Sequence, residues 1–330
     1  MLEGLSQARR SEIIGQFASR SILVVGDLMV DEYLYGSARR ISQEGPVMVI
    51  EVVADELKPG GAANVGNNLR ALGARVAMAG VVGDDEIGRT LRRDLEASQM
   101  DVGGIVVDSS RPTTRKTRIV AQSQQVMRID REHTQPISED VSRSLLNHIA
   151  QMLPIAGAIL VSDYRKGVLT EDSARAIGEL ARSAGKPLIT NPKPQSARWL
   201  KGARVLSLNQ VEAEELGGAP LPDDNDSLHR YGERLAKSME VDTLMVTRGS
   251  RGLCLWLRGG EYYSIPAHLV EVADIAGAGD TTIGTMALAL VCGASDVEAA
   301  QLANLAGACV VRKHGVATVT PDELLHATEL

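Results

Sequence analysis

One phenylalanine, two tryptophans and six tyrosines among 330 residues hold the aromatic content to 3%. That is too little for the stacking platforms on which single-stranded nucleic acid is held. Positive charge is also in deficit: 35 Lys and Arg against 42 Asp and Glu give a formal net charge of −7. The balance argues against a general nucleic-acid binder, and an anionic small substrate would need a local basic cluster. Three cysteines, Cys254, Cys292 and Cys309, lie far apart with no CxxC pattern. They read as small core residues in a reducing compartment. The stretch Met1–Arg20 carries Glu3, Arg9, Arg10 and Glu12 and lacks the unbroken apolar segment of a secretion signal. No apolar run approaches the ~20 residues that span a bilayer. The expectation is a cytoplasmic protein with neither nucleic acid nor membrane as partner. A Walker A loop is missing too, and no GxGxxG follows a strand, so phosphates would have to be held in another way.

What is present is a βα rhythm at 44% apolar and 23% charged residues, ordinary for a globular chain. Strands are predicted over 22–25, 47–53, 76–82, 157–162, 187–190, 204–208 and 243–247. Helices are predicted over 5–19, 62–72, 86–98, 138–153 and 170–184, and Ser295–Glu298 is a capping box for a late helix. A hairpin covers 252–265, Asp223–Asp226 reads as a solvated loop, and 316–320 closes the chain. The stretch 105–131 alternates without a helix, as a meander or hairpin would. With 33–53 it is expected to form a small sheet apart from the main one. The fold class is therefore α/β, one domain over 1–330, with a mostly parallel sheet covered on both faces. Ligands bind at the carboxyl ends of such strands. Asp27, Asp163, Asn191, Asn209, Thr247 and Asp274 all follow strand-like runs and would share that rim.

The chemistry is expected in Asp274-Ile-Ala-Gly-Ala-Gly-Asp280. A Gly-rich turn opens a helix there, and the helix's first amides, with the dipole, make an anion site. Asp280 is either the base for a hydroxyl attacking a bound phosphate or only a favourable first-turn acid. Thr247-Arg-Gly-Ser-Arg-Gly252 is either a phosphate-holding turn or a plain hairpin turn. Asn209 and Glu212, three apart, suit Mg²⁺ through water or a helix cap equally well. Lys193 sits on a rigid Pro-flanked turn, within reach of a phosphate or simply solvated. Gly60 and Gly61 allow close approach of a ligand, with Asn64 reading a hydroxyl, and Asp27 and Asp31 are acceptors for sugar hydroxyls. Arg39, Arg40, Arg115, Lys116, Arg118 and Arg128 supply the basic cluster or a solvated face.

In this order the motifs resemble the ribokinase-like (PfkB) family of sugar kinases, along nearly the whole chain. They are Gly26-Asp27, Gly60-Gly61 with Asn64, Asn209-x-x-Glu212, Thr247-x-Gly249 and Gly277-Ala-Gly-Asp280. Val25–Asp31, Arg40–Pro46, Gln124–Asp130, Ser162–Gly167 and Pro192-Lys193 are similar to the bacterial D-glycero-β-D-manno-heptose 7-phosphate kinases. The resemblance implies a three-layer α/β/α fold with a β-sheet lid (33–53 and 105–131), and a homodimer through that lid. It implies ATP and Mg²⁺, with Asp280 as catalytic base beside an anion hole of Gly277, Ala278 and Gly279. Lys193, Asn209, Gln210, Val211, Glu212, Thr247, Gly249, Gly252 and Asn304 would face the nucleotide, and Glu212 the metal. Asp27, Asp31, Arg40, Gly60, Gly61, Asn64, Lys116, Arg118, Gln124, Arg128 and Asp163 would face the sugar phosphate. The reaction implied is phosphorylation of the anomeric hydroxyl of the heptose phosphate by a stand-alone kinase. The alternatives are another sugar phosphate, such as fructose 6-phosphate, or a non-catalytic sensing relative. Two positions depart from the family pattern: Asn191 replaces an Asp before Pro-Lys, and Ala276 replaces a Thr. At a helix start beside Mg²⁺, Asp280 is expected to have a low pKa.

Overall fold

The computed structural model describes residues 4–122 and 124–327. The first residues of the Met1–Arg20 reading and both ends of the 1–330 domain reading lie outside the described residues.

The chain opens with α1 (Gln7–Gly15) and the central strand β1 (Ser21–Gly26), and then leaves the body along β2 (Leu28–Ile41) and β3 (Met48–Gly61). It returns in α2 (Ala62–Ala71), β4 (Arg75–Val82), α3 (Glu86–Ala97) and β5 (Asp101–Val107). A second excursion, β6 (Thr114–Ala121) and β7 (Gln124–Arg131), is followed by α4 (Glu139–Met152), β8 (Ala158–Ser162) and α5 (Glu171–Ser183). Next come β9 (Leu188–Asn191), α6 (Pro194–Ala197), β10 (Val205–Asn209), α7 (Gln210–Gly217), α8 (Asn225–Met239) and β11 (Thr243–Thr247). The hairpin β12 (Leu253–Leu257) and β13 (Tyr262–Ile265) precedes α9 (Ala278–Val291), α10 (Asp296–Val310) and α11 (Pro321–His326).

Nine strands make one sheet in the order β13-β12-β11-β10-β9-β8-β1-β4-β5. It is parallel except for the β12–β13 hairpin at one edge. Alternation along β1 sends Ile22 and Val24 to a core built with α1, α2, α9 and α10, and Leu23 and Val25 to a core built with α4, α5 and α8. Both faces are covered, which is the three-layer α/β/α arrangement. Among the described residues no helix is long and apolar enough to cross a membrane.

The second sheet has four strands, in the order β3-β2-β6-β7. Its central pair, β2 and β6, is parallel, with antiparallel partners outside. This corrects the expectation for 105–131 as one meander. β5 stays in the main sheet, pairing with β4, and only β6 and β7 leave it. The small sheet also starts earlier than residue 33 and ends later than 53, because β2 and β3 pair from Leu28↔Gly61 outward. Asp223–Asp226 is a loop only at its first two residues: Asp224 caps α8, accepting from Ser227 N, and Asn225 and Asp226 open the helix. Residues 316–320 lead into α11, capped by Thr320.

Candidate active site

α9 begins at Gly277, whose left-handed φ of 79° no side chain adopts easily; a Cβ there would lie 2.8 Å from Asn64 Nδ2. The Ala278 amide donates to Ile275 O at 3.2 Å and that of Thr281 to Gly277 O at 3.0 Å. Gly279 and Asp280 thus carry the first-turn amides that the helix leaves without an acceptor. Asp274 holds the turn by accepting from Ala276 N at 2.9 Å and Gly315 N at 3.0 Å. The backbone at Ala276 is therefore fixed without the family's threonine hydroxyl.

The Asp280 side chain is buried. Its Oδ2 accepts from Asn64 Nδ2 at 2.7 Å, and its Oδ1 accepts from the Tyr164 hydroxyl at 2.7 Å. Asn64 is oriented in turn by Asn68, whose Nδ2 donates to Asn64 Oδ1 at 3.2 Å, and Thr281 donates to Asn68 Oδ1 at 2.7 Å. Burial pushes the Asp280 carboxyl up to about 6; Asn64, Tyr164 and the Lys193 charge pull it down, and the Asp31 charge adds to the rise. Burial thus outweighs these lowering groups and places the carboxyl above the low value expected beside a bound Mg²⁺. A carboxylate with this pKa is suited to taking a proton near neutrality.

Asn64, expected to read a sugar hydroxyl, has its amide engaged with Asp280 and Asn68. Asp27 is 1% exposed and accepts from the amides of Tyr164 (2.7 Å), Lys166 (3.0 Å) and Val168 (3.3 Å). It fixes the loop after β8 onto the end of β1. Burial and the neighbouring Asp163 push its carboxyl up to about 6, against those three bonds. Asp163 is likewise buried and turned to backbone, accepting from Arg165 N at 3.0 Å and Lys193 N at 3.4 Å. Tyr164 carried no local signal in the sequence beyond its place in Ser162–Gly167, and its role became visible only from the fold.

On one side of α9's start lies a cavity of about 760 Å³. Asn209, Gln210 and Val211 line it, with Thr247, Gly249 and Gly252 of the turn between β11 and β12. Ala278, Gly279 and Asn304 complete the rim, and Leu269, Val272 and Val311 give it an apolar wall. Thr247–Gly252 is thus both a hairpin turn and a cavity wall. Asn304 donates to Pro266 O at 2.8 Å. Asn209 and Glu212 form a reciprocal capping box at the start of α7. Lys193 Nζ reaches Glu212 Oε1 at 2.6 Å and lies 5.4 Å above the Tyr164 ring. Asn191 donates to Ser207 O at 3.1 Å, bracing β9 on β10 where the family has an acid.

On the other side the small sheet presents Asp31, Tyr33, Lys58, Lys116, Arg118 and Arg128 on one face. A Cβ at Gly60 would lie 2.5 Å from Asp31 Oδ2, so glycine there lets Asp31 approach the backbone. The basic cluster is not free. Arg118 pairs with Asp31, Lys116 with Asp130 (3.1 Å) and Glu132 (3.5 Å), and Arg128 with Asp130 (2.8 Å). Lys166 joins from the body through Glu132 at 2.7 Å. Carboxylates on the same face, opposite Lys116 in register, diagonal to Arg118 and two residues along β7 from Arg128, pair with these three bases. Arg40 and Gln124 lie at the far end of the sheet and are exposed, roughly 30 Å along β2 from Asp31 in the case of Arg40. The structure does not bring them to Asp280.

Residues 19–323 match the model of the pfkB family carbohydrate kinases. The bifunctional protein HldE of Geobacter sulfurreducens is 44% identical over 303 residues, 92% of this chain and 62% of that protein. HldE of Desulfatibacillum aliphaticivorans is 41% identical over 311 residues, 94% of this chain and 63% of that protein. The chain thus spans less than two thirds of the length of these curated relatives. Arabidopsis thaliana ribokinase complexed with ribose and ATP superposes with a TM-score of 0.74 at 19% identity, covering 94% of this chain and 99% of that one. Escherichia coli phosphofructokinase-2 in complex with substrates and products gives 0.76 at 18% identity, covering 92% and 96%. These structural likenesses establish a ribokinase-like fold.

Proposed function

The chain belongs to the pfkB family of carbohydrate kinases, and from that premise we propose that it moves the γ-phosphate of ATP to the anomeric hydroxyl of D-glycero-β-D-manno-heptose 7-phosphate. The product, a heptose 1,7-bisphosphate, would feed lipopolysaccharide core precursors. The observation that carries the transfer is Asp280, buried in the first turn of α9, whose Ala278, Gly279 and Thr282 line the 760 Å³ cavity, and within reach of the Asp31 charge of the small sheet. The sugar rests on the resemblance of Arg40–Pro46 and Gln124–Asp130 to heptose phosphate kinases and on the identity to HldE. We read the whole of 1–330 as one kinase domain with the small sheet as its lid.

ATP would lie in the cavity, its base against Leu269, Val272 and Val311 and its phosphates toward Thr247–Gly252 and the start of α9. Lys193 would meet the phosphates from its place beside Glu212. Among the described residues no group of three or more His, Cys, Asp or Glu is gathered to hold a metal. Mg²⁺ takes one or two carboxylates with phosphate oxygens and water; Glu212, next in sequence to the lining residue Val211 and paired with Lys193, is the acid that would hold it. When bound, the ion would neutralise phosphate charge. Asp280 aims the sugar hydroxyl and accepts its proton, and the amides of Gly279 and Asp280 stabilise charge on the transferred phosphoryl group.

A screen of sugar phosphates for ATP-dependent ADP release tests this reading. The heptose 7-phosphate is expected to give the highest kcat/KM; a preference for fructose 6-phosphate would replace the sugar and keep the kinase. The unphosphorylated heptose is expected to be poorer by at least about tenfold in kcat/KM. The distal phosphate would draw Lys116 and Arg128 from Asp130, and charged bonds in a half-exposed site sit at the low end of the 2–5 kcal/mol range. Equal turnover of both sugars would remove the lid bases from the substrate site.

The lid also predicts assembly. Its outer face carries Leu34, Ile119 and Met127 in one row across three strands, with Ile129 and Val52 on the same face. Met127, Ile129 and Val52 are 56%, 51% and 49% exposed, and a sheet of this size with an exposed apolar patch is marginal in water. A homodimer through this face is expected in light scattering at micromolar concentration, with Met127→Glu shifting it to monomer. A wild-type monomer would contradict the expectation.

A further inference from the structure

Building on the phosphoryl-transfer reading, we propose that Tyr164 is a positioning residue for Asp280, its phenol fixing the carboxylate so that one lone pair of Oδ1 stays turned to the sugar hydroxyl. A carboxylate offers about four acceptor sites. Asn64 takes one on Oδ2 and Tyr164 one on Oδ1, each at 2.7 Å. Two donors on different oxygens fix the plane of the group, which a single bond would leave free to rotate.

Tyr164 is itself held firmly. Its amide donates to Asp27 Oδ2 at 2.7 Å, and the amides of Lys166 and Val168 donate to the same carboxylate. Its neighbour Arg165 adopts φ of 59°, a left-handed conformation uncommon outside glycine, with its amide bound to Asp163. The Lys193 ammonium covers the ring at 5.4 Å. The loop after β8 is thus bent into a strained shape that delivers one phenol to one carboxylate.

In the transfer, the sugar O–H bond breaks and its proton passes to Asp280. The sugar oxygen forms the new O–P bond as the bond between the γ-phosphorus and its bridging oxygen breaks, and ADP leaves with that electron pair. Tyr164 keeps its proton throughout, since burial and the Asp280 charge raise its ionisation well above the ordinary tyrosine value. Its bond is stronger to the ionised carboxylate than to the protonated one. The charged groups facing Asp280 are Lys193, which favours the ionised form, and Asp31, which opposes it; Asn64 is a neutral donor. Removing the phenol leaves Asn64 and Lys193 alone against burial.

The test is a ¹³C NMR titration of aspartate carboxyls in the full chain, with the Asp280 signal assigned by its loss in Asp280→Asn. Tyr164→Phe is expected to raise the Asp280 midpoint from about 6 by roughly one unit or more. The acid limb of kcat/KM should move by the same amount. On the plateau kcat should fall about tenfold while KM for ATP changes less than about twofold. Site-specific 3-fluorotyrosine at 164, a more acidic donor that keeps the shape, should move the midpoint down, which guards against misfolding of the Phe variant. A merely structural role would lower Tm and leave the midpoint in place, and that result overturns the proposal. So does a midpoint that rises while the acid limb stays. The titration needs no sugar, so absence of ADP release with every sugar phosphate, beside a shifted midpoint, would sink the transfer reading and not the Tyr164–Asp280 coupling.

Discussion

Asp280→Asn is expected to lower kcat by about 10²–10⁴-fold, the range lost with a general base, while KM for ATP stays near its wild-type value. The amide has nearly the carboxylate's shape. Asn64 can still donate to its oxygen, and the Tyr164 hydroxyl can turn to accept from its NH₂. What it cannot do is take the proton. A variant keeping more than about a tenth of wild-type kcat would make Asp280 a helix-start acid and place the base elsewhere. The same substitution should stabilise the protein. The folded carboxyl is raised from the ordinary 3.8 to about 6, so its contribution is most favourable below the unfolded value and is lost as pH rises through about 6. That gap corresponds to ~3 kcal/mol at pH 8. Urea unfolding should therefore show the variant ahead at pH 8, with the advantage shrinking toward pH 4. Gained stability with lost activity marks a site that stores strain for function.

Arg111→Ala is expected to cost about 3–5 kcal/mol at pH 7, read as a fall in the urea midpoint at unchanged slope. Arg111 lies between the two excursions of the chain and is 9% exposed. Its Nε donates to Asp108 at 2.9 Å, and its two terminal nitrogens to Lys166 O and Gln135 O, each at 3.0 Å. One guanidinium thus ties the exit of β5, the return from the small sheet and the Tyr164 loop. Lysine cannot reproduce that fork, so Arg111→Lys should recover only part of the loss. Burial raises the Asp108 carboxyl, but Ser110 and Arg111 outweigh it and hold it below the ordinary value. That stability is present above the unfolded carboxyl value and lost as pH falls through the folded one. The gap between variant and wild type should therefore narrow in acid. A cost under about 1 kcal/mol at pH 7 would show that water replaces the fork without loss.

The site was legible where its signal is local. A Gly-rich turn ahead of a helical apolar pattern marks Asp280 within seven residues, and the chain order of strand exits marks the rim. It was illegible where meaning depends on what lies opposite. A polar residue after a strand reads the same whether it faces a sugar or three backbone amides, so the amides held by Asp27 and the bond from Asn64 to Asp280 were not legible. The bases of β6 and β7 were visible, but Asp130 neutralises Lys116 only through the cross-strand register Lys116↔Asp130. β5 was misplaced because no helix separates it from β6, and only its pairing with β4 returns it to the main sheet.

The two bonds that hold Asp280 reach across 216 residues to Asn64 and 116 to Tyr164. At ~5–20 residues per second, a ribosome needs roughly 10–40 s to travel from the first of these partners to the carboxylate. The strand made first, β1, lies inside the sheet, and strands made later are added on both sides of it. In chain order, Asn64 and the Asp27 cradle around Tyr164 are both complete before α9 is made. On the proposed transfer, the carboxylate that would take the proton is therefore the last of these three groups to be made.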